Sequence, residues 1–327
     1  MQVDDLVRKT VVFLGLEANG TFLPLGTGTL CGYDAGQGDT YLFVATAKHV
    51  IDRISGDTIY ARMNRRDGSC SVIKIPKDSF CLEPERPDTD IIVYTFIFDP
   101  GLFDCLLIPV NRKSFVKSFA VWEITIGDEV CVTGLYTSHY GQLRNIPILR
   151  VGHIAAMPEE PVSTEQGYVE GYLVELHSIA GLSGSPVFVT PPMIYNDKKK
   201  GLQFRDGHMH MPIGILIGHH VIESKEDEIV VPKFQRAGSG EPPNLLQKNT
   251  GFGVVIPIER IFEMFDRPDV QAALAVGAAL EKQKRKKGFA TDAAVPEAPA
   301  AENPAHKEDF TRLLGAAARK REPEGRT

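Results

Sequence analysis

The sequence predicts an all-β fold, organised as a sandwich or a barrel, and two observations carry this prediction. Residues 10 to about 260 form short apolar or alternating runs, such as Thr10–Leu16 and Tyr41–Ala45, cut by Gly, Pro, Asp and Asn. Runs with this spacing are typical of β-sandwiches and barrels. The chain has 327 residues, of which 43% are hydrophobic, so it can bury a large core.

Changes in composition divide the chain further. The stretch Asn111–Phe119 is polar and basic, so we predict a linker near residues 108–122 between a first barrel at about 10–110 and a second at about 122–260. Polar residues 223–251 predict a long loop between two late strands. Helical apolar spacing predicts one helix over about 258–277, packed on the second barrel. Residues 281–327, rich in charge, Ala and Pro, predict a disordered tail with a short helix.

Charge and hydropathy exclude some partners. The formal net charge of -6 gives no overall basic field, so nucleic acid is not an expected partner. No segment approaches the ~18 consecutive apolar residues that span a bilayer, so no membrane partner is expected. The first residues lack the pattern of a secretory signal, and we therefore expect a cytoplasmic protein.

The five cysteines are odd in number, scattered, and contain no CxxC pair. This pattern argues against a disulfide framework and against a structural zinc site. We expect reduced packing residues rather than nucleophiles. The cysteines are Cys31, Cys70, Cys81, Cys105 and Cys131.

A serine in a glycine-rich segment is the sharpest chemical signal. Residues 181–186 read GLSGSP and directly precede the apolar run Val187–Val189. Small neighbours let the backbone turn tightly and present the Ser183 hydroxyl, and they let the N–H groups of Gly181 and Ser183 converge where an oxyanion could develop. An ordinary β-turn would use the same residue types.

A histidine and an aspartate each lie beside a strand-like run. His49 ends the run FVATAKHV at 43–50, where a rigid strand could hold a general base within ~3 Å of a serine hydroxyl. Asp90 precedes the apolar run Ile91–Val93, where a carboxylate could accept the other imidazole N–H. Taken singly, each has an ordinary structural explanation, as a satisfied imidazole or a strand-capping aspartate.

The order His49, Asp90, Ser183 resembles the trypsin-like, chymotrypsin-fold serine peptidases. Segments GTGTL at 26–30, GDEV at 127–130, GHI at 152–154 and FGVVIP at 252–257 are nearest to the HtrA/DegP-like bacterial branch, over roughly residues 10–265. The resemblance implies two six-stranded antiparallel β-barrels within a peptidase domain at 1–280, and a serine endopeptidase that acts on proteins or peptides. It implies no cofactor and no metal.

The chain departs from that family at three places. Ser185 stands where glycine is commonest, a change that other members tolerate. Leu182 replaces the aspartate that secreted members pair with a new N-terminal amine, so that activation route is not expected. Nothing after residue 280 resembles a PDZ domain.

By the same resemblance, the floor of the primary substrate pocket is His177, and residues from Ile215 to Gly218 form a wall. Because no carboxylate occupies the floor, selectivity for Arg or Lys is not implied. An imidazole could favour an acidic side chain, and a small or apolar preference is the alternative.

Two other function classes stay open. The same fold could hold a peptide as an added strand without cutting it, as a pseudo-peptidase. A metal-dependent enzyme is the other class, since His208 and His210 alternate along the chain and His219 precedes His220, and imidazoles suit zinc.

Overall fold

The computed structural model describes residues 3–36, 39–86, 89–118, 123–164, 167–176, 181–190, 194–197, 201–204, 210–223, 231–235 and 247–277. Most of them lie in antiparallel strands, as the sequence predicts, and helices are few and short. No helix among these residues is long and apolar enough to cross a membrane. The predicted tail at 281–327 lies outside the described residues.

The strands of the first half form one eight-stranded sheet, in the order β5-β4-β1-β2-β3-β7-β6 with β8 paired to β2. Asn19 and Gly20, both with positive φ, form the tight turn between the first two strands, which suits the twist of a two-residue hairpin. The strands are β1 (Val11–Ala18), β2 (Thr21–Gly36), β3 (Asp39–Thr46), β4 (Thr58–Asn64), β5 (Cys70–Pro76), β6 (Cys81–Leu82), β7 (Ile92–Thr95) and β8 (Ile108–Pro109).

The second half holds a seven-stranded sheet and two separate two-stranded hairpins, β11-β12 and β15-β16. The strands are β9 (Glu129–Gly134), β10 (Ile148–Ala156), β11 (Val162–Thr164), β12 (Gly167–Val169), β13 (Tyr172–Glu175), β14 (Ser185–Val189), β15 (Ile194–Asp197), β16 (Gly201–Phe204), β17 (Met211–Glu223), β18 (Val231–Gln235) and β19 (Gln247–Pro257).

The second sheet closes on itself. Its order is β14-β9-β10-β13-β19-β17-β18, and an additional ladder between β14 and β17 joins six of these strands into a barrel. A six-stranded antiparallel barrel is therefore confirmed for this half. A second closed barrel is not confirmed, because the first sheet has eight strands and no described ladder joins its two ends, β5 and β6.

The polar stretch 223–251 is only partly a loop. It contains β18, whose residues pair with the end of β17 from His219 opposite Gln235 to Glu223 opposite Val231. The long end of β17 offers an unpaired row of backbone groups, and such an edge accepts another strand even where the sequence is polar. The prediction of an uninterrupted loop is wrong for this segment.

The predicted linker at 108–122 contains β8 and a short helix, α2 (Arg112–Ser118), preceded by α1 (Lys48–Asp52) earlier in the chain. The Asn111 side chain accepts hydrogen bonds from the N–H groups of Lys113 and Ser114, at 3.0 and 3.2 Å. This is an N-cap, and it explains why a polar stretch starts a helix here. The domain boundaries themselves stay a prediction.

The predicted helix over 258–277 is interrupted. Its first part is α3 (Glu259–Asp266), Arg267 is extended with φ -60° and ψ 135°, and residues 268–277 are helical again. Pro268 follows Arg267, and a proline disfavours the helical conformation of the residue before it. The prediction of one continuous helix is therefore wrong.

Helix α3 contacts β19 of the second barrel, where we expected it to pack, and its Phe265 also packs on the first sheet. The Phe265 ring stacks on Tyr33 of β2 at 5.4 Å between centroids and meets Phe43 of β3 edge-on at 4.8 Å. Gln271, in the helical stretch beyond, accepts a 3.0 Å hydrogen bond from the Tyr33 hydroxyl. Phe265 and Gln271 thus cover part of the first sheet as well.

A buried arginine joins the two halves on another side. Arg62 of β4 donates to the carbonyl oxygens of Gly141 at 2.8 Å and Gln142 at 2.6 Å, and only 5% of it is exposed. Asn64 and Asn145 exchange side-chain and backbone hydrogen bonds at 2.7 and 3.0 Å. These contacts hold the 141–145 segment against β4.

We predict that Arg62→Met lowers the free energy of unfolding by about 3 kcal/mol, because the buried arginine's charged hydrogen bonds to the Gly141 and Gln142 carbonyls and to the Asn145 side chain are all lost. Denaturant unfolding measures the change. Lys113→Met, on an exposed basic residue, should stay within about 0.5 kcal/mol of wild type and serves as the control. Equal effects of the two substitutions would contradict this role of Arg62.

Candidate active site

Two neighbouring strand ends bring His49 and Asp90 together. Thr46 at the end of β3 lies opposite Ile92 at the start of β7, so the residues just beyond them meet. His49 Nδ1 is 2.6 Å from Asp90 Oδ2, and the His49 backbone N–H donates to Asp90 Oδ1 at 3.0 Å. Because a carboxylate only accepts, Nδ1 carries the proton and Nε2 is left as the basic nitrogen. The side chains are 0% and 3% exposed.

Ser183 lies in a tight turn directly before β14. The Ser185 N–H donates to the Leu182 carbonyl at 3.0 Å, which closes a β-turn with Ser183 and Gly184 at its centre. Gly184 has φ of 89°, which the third position of a type II turn requires and which glycine adopts without strain. The glycine-rich segment therefore forms the turn that the sequence predicts.

Strand β2 of the first sheet holds this turn from the side. The Thr27 N–H donates to the Ser183 carbonyl at 2.9 Å, the Thr27 hydroxyl donates to the Gly181 carbonyl at 2.8 Å, and the Thr29 hydroxyl donates to the Gly184 carbonyl at 2.9 Å. All of these groups are buried. They bring residues 181–185, the serine turn, against the first sheet, whose strand β3 leads to His49.

Thr46 connects the turn to the histidine. Its hydroxyl donates to the Thr27 carbonyl at 2.7 Å, and it lies three residues before His49. A Cβ at Gly184 would lie 2.3 Å from the Thr46 hydroxyl oxygen and 1.9 Å from the Thr27 carbonyl oxygen. The backbone of the serine turn therefore touches the end of the strand that leads to His49.

The bond between Ser183 and His49 is not formed in this conformation. The Ser183 hydroxyl lies 3.4 Å from the carbonyl oxygen of Ile217, and His49 Nε2 has no hydrogen-bond partner within the described part of the chain. Both residues are 0% exposed. Catalytic hydrogen bonds are often long or poorly aligned before substrate binds, so this geometry does not exclude the pair.

The proposed oxyanion donors belong to the same turn. Gly181 has φ of 100°, and a Cβ there would lie 2.9 Å from both the side chain and the carbonyl oxygen of Leu135, so only glycine fits. Leu182 is 0% exposed and packs in the hydrophobic core. The assignment of the Gly181 and Ser183 N–H groups stays a prediction.

The predicted substrate pocket is described only in part. His177 lies outside the described residues. Ile215 is 1% exposed and pairs with Pro186 of β14 and Ile256 of β19, so its side chain belongs to the barrel core. Gly218 follows an irregularity in the pairing of β17 with β19.

Sequence reasoning missed several residues around Ser183. Thr27 and Thr29 alternate with glycines in β2, and this run of small polar residues in an otherwise apolar strand was a signal for a buried polar contact. Thr46 has the same character. No signal could have identified Ile217, because it acts through a backbone carbonyl.

Among the described residues, Cys31, Cys131 and His210 are unsuited to an alternative chemistry. Burial raises the pKa of Cys31 to about 12 and that of Cys131 to about 12, so neither thiol is a nucleophile at neutral pH. The five cysteines are free, as predicted. His210 accepts from the Asp4 N–H at 3.0 Å and lies 2.9 Å from the Thr190 hydroxyl, which uses both ring nitrogens structurally. His208 lies outside the described residues.

Comparisons with known proteins address the fold. No protein-family model matches the chain, and no curated protein matches it. Similar solved structures include the MamO protease domain from Magnetospirillum magneticum, at 13% identity over 64% of this chain and 94% of that one, with a TM-score of 0.39. A mutant of the tobacco etch virus protease is 12% identical over 82% of each chain, with a TM-score of 0.41. Human heparin binding protein is 12% identical over 65% and 89%, with a TM-score of 0.36.

We predict that Gly184→Ala destabilises the protein much more than Gly127→Ala. Both glycines have nearly the same φ, 89° and 88°, but a Cβ at Gly127 meets no atom within 4 Å. Gly127→Ala should therefore cost about 1 kcal/mol for its backbone conformation alone. Gly184→Ala should cost at least about 3 kcal/mol more, since the Thr27 backbone must move.

Denaturant unfolding of the two glycine variants measures this difference. Similar losses for both would mean that the serine turn does not approach β2 as closely as described.

Proposed function

We propose that the protein is a serine endopeptidase in which Ser183 is the nucleophile, His49 the general base and Asp90 the residue that orients it. The observation that carries this proposal is the buried His49–Asp90 pair, in which one carboxylate binds both the backbone N–H and Nδ1 of the histidine. That double contact leaves Nε2 without a described partner, and the strand end that leads to His49 touches the turn that carries Ser183.

The first half of the reaction forms an acyl-enzyme. Ser183 Oγ attacks the carbonyl carbon of the scissile bond while His49 Nε2 takes the hydroxyl proton. Asp90 stabilises the imidazolium that results, and the N–H groups of Gly181 and Ser183 bind the oxyanion. When the C–N bond breaks, His49 returns the proton to the leaving amine.

The second half releases the acid product. Water attacks the ester carbon, His49 Nε2 takes a proton from that water, and the oxyanion forms again in the same place. Collapse breaks the bond to Ser183, whose oxygen regains the proton from His49. No cofactor takes part in this mechanism.

Two changes must precede the attack. The Ser183 hydroxyl, which lies 3.4 Å from the Ile217 carbonyl oxygen, must come within hydrogen-bond distance of His49 Nε2. The site must also become accessible, because Ser183 and His49 are 0% exposed and a peptide needs direct access to Ser183 Oγ. The proposed enzyme is therefore closed in this conformation.

The same burial favours a second candidate function. If the site never opens, the fold serves as a pseudo-peptidase that binds a peptide or protein without cutting it. The finer likeness to the HtrA-like branch, a protein or peptide substrate and a cytoplasmic location belong to the proposal and stay predictions.

Labelling with a fluorophosphonate probe under native conditions tests the proposal. We expect wild type to be labelled, and Ser183→Ala and His49→Ala to lose labelling, because the probe needs an activated serine. Ser79→Ala and His153→Ala are the matched controls and should label like wild type. A folded wild type that stays unlabelled would contradict the endopeptidase and favour the pseudo-peptidase.

We further predict that Asp90→Asn slows labelling by about 10³- to 10⁴-fold with little change in fold. An asparagine NH₂ would donate to Nδ1 and move the ring proton to Nε2, where His49 can no longer act as a base. The labelling rate and the circular dichroism spectrum measure the two effects. A rate close to that of wild type would show that Asp90 does not control His49.

A further inference from the structure

The Thr27 hydroxyl connects three segments of the chain at one buried point. It donates to the Gly181 carbonyl at 2.8 Å and accepts from the Leu135 N–H at 2.9 Å. Thr27 is 0% exposed. A single side chain of β2 thereby ties the serine turn to the residue that follows β9.

Because both contacts are buried, water cannot replace the Thr27 hydroxyl as the partner of the Gly181 carbonyl or of the Leu135 N–H. Buried polar groups in proteins are nearly always hydrogen-bonded, and a hydroxyl can satisfy a donor and an acceptor at once. Valine has almost the shape of threonine but does neither. The hydroxyl, and not the volume of the side chain, is therefore the feature that holds Gly181 and Leu135.

Holding the Gly181 carbonyl fixes the peptide plane between Gly181 and Leu182, and the Gly181 N–H, which belongs to the peptide before it, is then set by the φ and ψ of Gly181. Gly181 has φ of 100°. Because glycine adopts many backbone conformations, this residue could change its φ and ψ if its carbonyl were not held. Leu135 closes the other side, because its side chain and carbonyl leave no room at Gly181 for a Cβ. The turn is thus confined between the Thr27 hydroxyl and Leu135.

Residue 182 has no charged side chain that could hold the backbone of this turn. Leu182 is apolar and 0% exposed, so it contributes packing but no directed bond from its side chain. Two directed side-chain bonds to this turn come from β2, through the hydroxyls of Thr27 and Thr29. They are neutral, so they do not depend on the generation of a new charged group.

We propose that Thr27 is a positioning residue that holds the backbone carbonyls of Gly181 and Ser183, so that the segment that carries both oxyanion donors keeps its conformation without a charged partner. This inference rests on the proposed endopeptidase function. Thr27 touches no substrate and acts through Gly181. Its loss should therefore lower the maximal rate of the covalent step more than it weakens probe binding.

The experiment compares Thr27→Val, Thr27→Ser and Thr10→Val in the full chain, by fluorophosphonate labelling over a range of probe concentrations. Thr10 is also buried and donates to a backbone carbonyl, that of Val7 at 2.7 Å, but it lies outside the site. Thermal unfolding of each variant records stability separately, so that a loss of rate can be compared between variants of similar stability.

We expect Thr27→Val to reduce the maximal labelling rate by about 10- to 100-fold, somewhat less than the removal of a whole oxyanion donor. Thr27→Ser keeps the hydroxyl and should recover the rate to within about threefold of wild type, and Thr10→Val should stay in the same range. If Thr27→Val does not fold, Thr27→Ala removes the same hydroxyl without the added methyl group and takes its place.

The outcomes separate the two proposals. Labelling of Thr27→Val at the rate of Thr10→Val would overturn the positioning role and leave the endopeptidase intact. A rate in Thr27→Ser as low as in Thr27→Val would also overturn it, because the hydroxyl would then not be the decisive group. An unlabelled, folded wild type would overturn the endopeptidase and, with it, this inference.

Discussion

The contact between β2 and the serine turn is the constraint on which the arrangement of the site depends. His49 lies in α1 just beyond β3, Asp90 lies just before β7, and Ser183 leads into the second sheet, so the three can meet only if the halves are held in one relative position. Buried hydrogen bonds from Thr27 and Thr29 to the turn supply that position. Because each of these bonds satisfies a backbone group that water cannot reach, a small displacement of the halves would leave polar groups unpaired.

The His49–Asp90 pair is a second consequence of burial. A carboxylate that is almost removed from water needs hydrogen bonds at both oxygens, and His49 provides both through its backbone N–H and its ring. This contact fixes the ring orientation as well as the tautomer. Ser183 is buried as well, so the burial that orders the His49 ring also means that the site must become accessible before any substrate can react.

Much of the site was accessible from the sequence, since local patterns determine it. The turn at Ser183 needs glycine at positions of positive φ, and the ends of β3 and β7 follow from apolar runs. Other elements were not predicted because long-range partners create them. Strand β18 forms on the edge of β17 within a polar stretch of the sequence, and Phe265 of α3 packs on the first sheet, to which no local pattern assigns it.

Residue types close together in the chain are enough to predict a fold made mostly of strands, the tight turn at Ser183, and the strand ends beside which His49 and Asp90 lie. They do not predict that six strands of the second half close into a barrel, that Thr27 joins Gly181 to Leu135, or that Ser183 and His49 are buried. Closure of the barrel, the buried hydroxyl contacts and this burial join residues far apart in the chain, and local patterns carry no information about such partners.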